Sequence, residues 1–347
     1  MSIATGEAAM TRDMPSSAPD AADRLILDEA AGAIVGSRVV AIGSPALATA
    51  ARELGAADVR SFADTDAVAG AELDADLLDG ATVVLVRLPK SLDALDRIAR
   101  RIAAHAAPGV VVFAGGRLKY MTRGMNEVLA KSFRQLDVSL ARQKSRVLIA
   151  RAPLAVEVQE ARRVWQPDLE LWVGAVGGVF AGASLDIGTR AMLAAWKNLP
   201  GYRVAVDLGC GSGILAAELK RREPSARVIA SDISADAVDS ARETMAANGL
   251  DVEVVRDTAL SRQATGSIDL VVLNPPFHDG GAVTTDIAMA LFADAARALA
   301  PGGQLWTVWN SHLAYRPSLA RLVGPTVEIA RGPKFTVTAS TRALPDS

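Results

Sequence analysis

The run Val204-Ala205-Val206-Asp207-Leu208-Gly209-Cys210-Gly211-Ser212-Gly213 constrains the fold of this chain more than any other stretch. An apolar strand passes into a Gly-x-Gly-x-Gly turn and then into the helical pattern Ile214 to Arg222. Strand, glycine turn and helix in that order are the unit of a Rossmann-like α/β sheet. Glycines let the backbone approach a ligand closely, and the helix N-terminus that follows presents unpaired N–H groups. A dinucleotide site would space its third glycine as G-x-G-x-x-G, but position 214 is Ile. Asp207 would also repel a pyrophosphate, whereas it suits an ammonium group. S-adenosylmethionine carries such an ammonium in its methionine moiety, so the turn favours that cofactor over NAD.

Three further strand ends follow. Arg227 to Ser231 reads as a strand closed by Asp232, where an acid can take both ribose hydroxyls. Val252 to Arg256 reads as a strand closed by Asp257, placed to accept from an adenine amine. For either acid, a helix N-cap or a solvated turn is an equally open role. Leu270 to Leu273 then ends in Asn274-Pro275-Pro276-Phe277. An exocyclic amine is a poor nucleophile because its lone pair is delocalised. The Asn274 side-chain oxygen and the Pro275 carbonyl can each accept one of its N–H groups, and Phe277 offers a stacking face. Pro-Pro alone marks only a loop. In such a sheet ligands bind at the carboxyl ends of strands, so the four segments converge on one crevice. That set points to a class I methyltransferase.

The length of 347 residues suggests two domains, and half the residues are hydrophobic, enough for a sizeable core. No apolar run is long enough to span a bilayer. Residues 1–24, rich in Ala, Ser, Asp and Met, read as a disordered leader and not as a signal peptide. Cys210 is the single cysteine, which excludes an intrachain disulfide; it reads as a small packing residue, and the chain as cytoplasmic. His105, His278 and His312 are scattered, and no metal-ligand cluster is visible.

The same order of elements occurs twice. Arg38 to Gly43 matches the opening strand of the second half, and Thr82 to Lys90 occupies the place of the Asn-Pro-Pro strand. Pro108-Gly109 leads into Val110 to Phe113 as Pro301-Gly302-Gly303 leads into Gln304 to Trp309. Each half ends in an expected antiparallel pair, near Leu136 to Ile149 and near Val327 to Val337. But Gly43-Ser44-Pro45 lacks the glycine cradle, and Arg87-Leu88-Pro89 has no Asn. Two tandem domains are therefore expected over 25–163 and 164–347, the first a degenerate copy; two unrelated α/β domains remain the rival reading.

Charge is uneven along the chain. Residues 1–86 hold 5 Lys/Arg against 14 Asp/Glu, whereas residues 87–163 hold 16 against 6. A local positive face suits phosphate, although solvated helices or an acidic protein partner would use the same charges.

The chain resembles the bacterial ribosomal RNA guanine-N2 methyltransferases with tandem class I domains. The first-domain resemblance rests on Val86-Arg87-Leu88-Pro89-Lys90, Ala114-Gly115-Gly116-Arg117-Leu118-Lys119 and Arg142-Gln143-Lys144-Ser145-Arg146-Val147. In the second it rests on Gly178-Val179-Phe180, Leu185-Asp186-Ile187-Gly188-Thr189-Arg190, the glycine turn and Asn274 to His278. The tail Asn310 to Tyr315 and Lys334 to Val337 is similar to the large-subunit member. The resemblance implies N2-methylguanosine in 23S ribosomal RNA, favoured over 16S, with S-adenosylmethionine as methyl donor. Cofactor contacts are then expected at Phe180, Asp186, Gly188, Asp207, Gly209, Cys210, Gly211, Gly213, Asp232, Ile233, Asp257 and Asn274, with Phe180 to Thr189 as a flap. RNA contacts are expected at Lys90, Arg117, Lys119, Arg142, Lys144 and Arg146, and neither a metal nor a membrane is implied. Enzymes that methylate protein glutamine or DNA adenine share the Asn-Pro-Pro-aromatic turn and are the alternatives. A non-enzymatic RNA-binding assembly factor is disfavoured by the intact second site.

Overall fold

The computed structural model describes residues 18–63, 73–158, 162–176, 185–275 and 282–343. The chain divides into two compact units, unit 1 (18–62, 75–88 and 105–154) and unit 2 (the other described residues).

Unit 1 opens with α1 (Ala21–Ile34), capped by Asp20, whose side chain accepts from the Ala22 and Asp23 amides. This cap starts the helix inside the 1–24 stretch expected to be a leader, because Asp20 and Asp23 form a reciprocal capping box. There follow β1 (Arg38–Ile42), α2 (Pro45–Glu53), β2 (Asp58–Phe62), α3 (Ala75–Leu78) and β3 (Val83–Arg87). Then come α4 (Leu92–His105), most of which groups with unit 2, β4 (Val111–Arg117), α5 (Arg123–Ala130), β5 (Phe133–Val138) and β6 (Ser145–Pro153). The sheet order is β2-β1-β3-β4-β6-β5. Its first four strands are parallel and the last two form the antiparallel pair expected from the sequence. The apolar runs of β1 and β3 are buried, as inner parallel strands must be, and pack with Ile26, Leu47 and Phe113.

Unit 2 begins with a hairpin, β7 (Arg162–Gln166) and β8 (Leu171–Ala175), followed by α6 (Ile187–Ala195). The sequence reading did not anticipate the hairpin, and its domain boundary at 163/164 falls within β7. The remaining elements are β9 (Val204–Leu208), α7 (Ile214–Arg222), β10 (Arg227–Asp232), α8 (Ala235–Asn248), β11 (Glu253–Arg256) and β12 (Ile268–Leu273). They end with α9 (Ala282–Ala298), β13 (Leu299–Asn310), α10 (Arg316–Leu322), β14 (Thr326–Arg331) and β15 (Phe335–Thr341). The order is β11-β10-β9-β12-β13-β15-β14, parallel through β13 and antiparallel beyond. Without β11 it is the order of unit 1, strand for strand. The duplication suspected from sequence is thus a repeat of topology, and among the described residues unit 1 has no counterpart of β11.

β13 starts earlier than expected and runs through Pro301-Gly302-Gly303. A Cβ on Gly303 would lie 3.0 Å from the carbonyl oxygens of Ile268 and Asp269, so only glycine lets the strands close there. Among the described residues, no helix is long and apolar enough to cross a membrane.

Candidate active site

Register decides what meets at the carboxyl edge of the unit 2 sheet. Leu208 lies opposite Leu273 and Ser231, and Asp232 opposite Arg256. The residues that follow or end these strands, Gly209, Asn274, Asp232 and Asp257, therefore share one edge. The expected convergence of strand ends is present in the fold.

The glycine turn is left-handed at all three glycines, with φ of 70° at Gly209, 53° at Gly211 and 78° at Gly213. Their surroundings differ. A Cβ on Gly209 or Gly211 would meet nothing within 4 Å, whereas one on Gly213 would lie 2.9 Å from Met245 Cε and 3.0 Å from Ala241 Cβ. Two glycines border open space fit for a ligand; the third lets α7 pack against α8. The turn is tied down by backbone bonds from Gly209 and Cys210 to the Ser231 carbonyl. It is also held by the Gly211 amide, which donates to Asp232 Oδ2 at 3.0 Å. Asp232 Oδ1 accepts from Ser234 N, and Ile233 stands half-buried between them.

Asp207 is 1 % exposed and accepts from the Ala216 amide at 2.9 Å, in the first turn of α7. Burial pushes its carboxyl up to about 7, and the nearby Asp232 adds to the rise. A buried acid poised between its two forms fits a site for a cationic ligand group. Cys210 belongs to the core, and burial raises its thiol well above the ordinary range, which fits a packing residue and not a nucleophile. Asp257 is buried, with Ser261 Oγ donating to Oδ1 and Arg262 N to Oδ2 at 3.0 Å. Its own loop thus holds both oxygens, each with a second lone pair for a ligand.

Asn274 is fixed on one side only. Its Nδ2 donates to Asp186 Oδ2 at 3.2 Å and to Thr189 Oγ1 at 3.1 Å. Its Oδ1 is buried and accepts no hydrogen bond from any described residue. Asp186 is the N-cap of α6, accepting from Gly188 N at 2.7 Å and Thr189 N at 3.2 Å, and Thr189 Oγ1 donates to it as well. Gly188 lies so close that a Cβ there would stand 3.0 Å from Asn274 Oδ1. Asp186 and Gly188, both expected as cofactor contacts, lie against Asn274. Thr189 entered the sequence reading only within a motif and as the end of the expected flap, and no sequence signal marked it as a partner of Asn274. Pro275 is buried; Phe180, Pro276, Phe277 and His278 lie outside the described residues. His312 is exposed in a short turn after β13, and among the described residues no His/Cys/Asp/Glu group could hold a metal.

In unit 1 the equivalent edge carries an ion pair in place of the amide. A Cβ on Gly43 would lie 3.2 Å from the Arg87 carbonyl oxygen, and the Arg87 guanidinium donates to Asp20 Oδ1 at 2.6 Å and Oδ2 at 2.7 Å. Arg87 holds the Asp20 carboxyl well below the usual carboxylate range. Of the expected RNA contacts, Arg117, Lys119 and Lys144 line a cavity of about 660 Å³ with Asp20, Arg87, Leu118 and Tyr120. Arg142 is instead paired with Asp28 and Glu29, Arg146 is half-buried, and Lys90 is exposed in a segment of unit 2. Tyr120, 48 % exposed with Lys119 Nζ 4.5 Å from its ring centre, was not singled out from sequence as a site residue.

Comparison with known proteins gives two family matches, Methyltransferase small domain over residues 170–339 and RLMG N-terminal domain over residues 60–154. The chain is 38 % identical over 261 residues to Ribosomal RNA large subunit methyltransferase G of Shewanella amazonensis, covering 73 % of this chain and 67 % of that protein. It is 40 % identical over 260 residues to the protein of the same name from Pseudomonas paraeruginosa, covering 73 % and 69 %. Among solved structures, the T. thermophilus 16S rRNA N2 methyltransferase RsmC in complex with AdoMet and guanosine superposes with a TM-score of 0.71 over 88 % of each chain. Its sequence identity is 20 %, so the likeness is one of fold.

Proposed function

The chain belongs to the ribosomal RNA large subunit methyltransferase G family, and on that premise we propose that it methylates the N2 amine of a guanosine in 23S ribosomal RNA at the edge formed by β9, β10 and β12. S-adenosylmethionine supplies the electrophilic methyl group. Open space beside Gly209 and Gly211, next to the near-neutral Asp207, supports a cationic ligand with its charged end there. Asp232 and Asp257 serve its ribose and adenine, with Ile233 against the rings. The observation that carries the reading is the buried Asn274 Oδ1, an acceptor with no donor among the described residues.

A buried acceptor left bare costs about 1–3 kcal/mol, so it is kept where a ligand satisfies it. Asn274 Oδ1 accepts one N–H of the target amine and the Pro275 carbonyl the other, which frees the nitrogen lone pair from the ring. That lone pair would form the new N–C bond as the bond between the methyl group and the sulfonium sulfur breaks, its electron pair passing to sulfur, and the nitrogen would then shed one proton to solvent. No strong general base is required. Arg117, Lys119 and Lys144 of unit 1 bind RNA phosphates, and the enzyme works in the cytoplasm where ribosomal subunits are made.

Nucleoside mass spectrometry of separated 23S and 16S RNA, from cells with and without the gene, tests the substrate. Loss of N2-methylguanosine from 23S is the expected result; loss from 16S alone, or from neither, overturns it. Asn274→Ala should lower turnover at least about 100-fold with binding of S-adenosylmethionine nearly unchanged. Wild-type turnover by that variant would remove Asn274 from the chemistry.

A further inference from the structure

We propose that Asp186, with Thr189, is a positioning residue that dictates which end of the Asn274 amide faces the substrate. This inference rests on the proposed function. An amide has a donor end and an acceptor end of nearly equal shape, so a lone Asn could present either. Here Nδ2 is claimed twice, by Asp186 Oδ2 and Thr189 Oγ1. A carboxylate accepts and cannot donate, so a flipped amide would set Oδ1 against it. Gly188 closes the remaining side, since any Cβ would press on Asn274 at 3.0–3.2 Å. The site is thereby committed to ligands that bring an N–H donor. A carbonyl or a tertiary nitrogen at the same place would leave Oδ1 unsatisfied.

Unit 1 carries the same connection independently. There too the acid that caps the helix before the first strand of the main sheet receives the residue at the end of a strand beside it, β3 next to β1 as β12 is next to β9: Asp20 caps α1 and binds Arg87 through both oxygens. Arg87 pairs with Gly115 and follows Val86, the partner of Ile42, as Asn274 follows Leu273, the partner of Leu208. The link from cap to strand end recurs in both units although the residue at the strand end has changed. Such a link is a device of the topology and not an accident of one loop.

Asp186→Asn separates positioning from capping. Asn is as good an N-cap as Asp, so α6 and thermal stability should be kept. Its side-chain oxygen can cap the helix, but the carboxylate that held Nδ2 is gone. Under single-turnover conditions the methyl-transfer rate should fall about 10- to 100-fold, while KM for RNA and Kd for S-adenosylmethionine change less than about 3-fold. In an Asn274→Ala background the same substitution should cost less than about 2-fold, because nothing is left to orient. Thr189→Val should reproduce part of the loss and Thr189→Ser restore it, which keeps the test open if Asp186→Asn folds poorly. A wild-type rate in Asp186→Asn, a loss confined to S-adenosylmethionine affinity, or an undiminished cost in the Asn274→Ala background would each overturn the inference alone. A wild-type protein that methylates no ribosomal guanosine would overturn the proposed function as well.

Discussion

Asp207 holds its proton in the free protein over a pH range where most carboxyls have lost theirs. Burial lifts it from 3.8 to about 7. Within that window the folded chain binds a proton that the unfolded chain does not. The contribution of this group to stability is therefore complete in acid and is lost as pH rises through about 7. A cation bound beside it favours the ionised form and reverses the loss. Affinity for S-adenosylmethionine should thus climb, by at most about tenfold per unit, as pH rises toward about 7, and level off above. Calorimetry in buffers of different ionisation heat should register a released proton at the acid end. Asp207→Asn keeps an acceptor for the Ala216 amide and removes a buried charge. It should raise the melting temperature at about pH 8 while weakening binding about tenfold or more and flattening the pH dependence. A wild-type affinity indifferent to pH would take Asp207 out of the cation site.

Elements place these groups, and the glycine turn shows how unlike its residues are. Gly213→Ala should destabilise by about 2–4 kcal/mol, because it adds left-handed strain to a collision with Met245 and Ala241. Gly211→Ala carries the strain alone, about 1–2 kcal/mol, and should lose cofactor binding out of proportion to its stability. Thermal melts of the two variants check this; equal losses would deny Gly213 its packing role. Strand β9 and helix α7 have the ends their sequence suggests, Val204 to Leu208 and Ile214 to Arg222, since an apolar run broken by glycines and followed by helix formers admits few other readings. The hairpin β7–β8 was not legible. It holds to α8 by local detail, Gly174 N to Thr244 Oγ1 and Val176 N to Ser240 Oγ, and no periodicity announces such contacts. Asn274 was legible as an acceptor, whereas its restraint by a residue 88 positions earlier needed coordinates.

For the whole molecule, summed charge is a poor guide and its distribution a better one. The excess of Lys and Arg over residues 87–163 was plain in the sequence, but not which of them are engaged within the protein. Arg97 is paired with Asp236 and Asp239, Arg100 with Asp96, and Arg101 with the Leu73 carbonyl. Arg117, Lys119 and Lys144 gather around the unit 1 cavity. Replacing these three by Ala should raise KM for RNA about tenfold or more and lower the log–log salt slope of binding by about 2. Affinity for S-adenosylmethionine should stay unchanged. An unaltered salt slope would move RNA contact elsewhere.

The pairing of Arg87 with Asp20 and Asp23 also bears on whether a catalytic centre could be built in unit 1. Placing Asn at position 87 would strip two carboxylates of their counter-ion before any catalytic gain could appear, and a buried one such as Asp23 is costly to leave bare. That first step alone makes the protein worse, so the ion pair works as a ratchet. A strand edge locked by its own salt bridge becomes scaffolding, and selection can reshape it more readily for other duties than for catalysis.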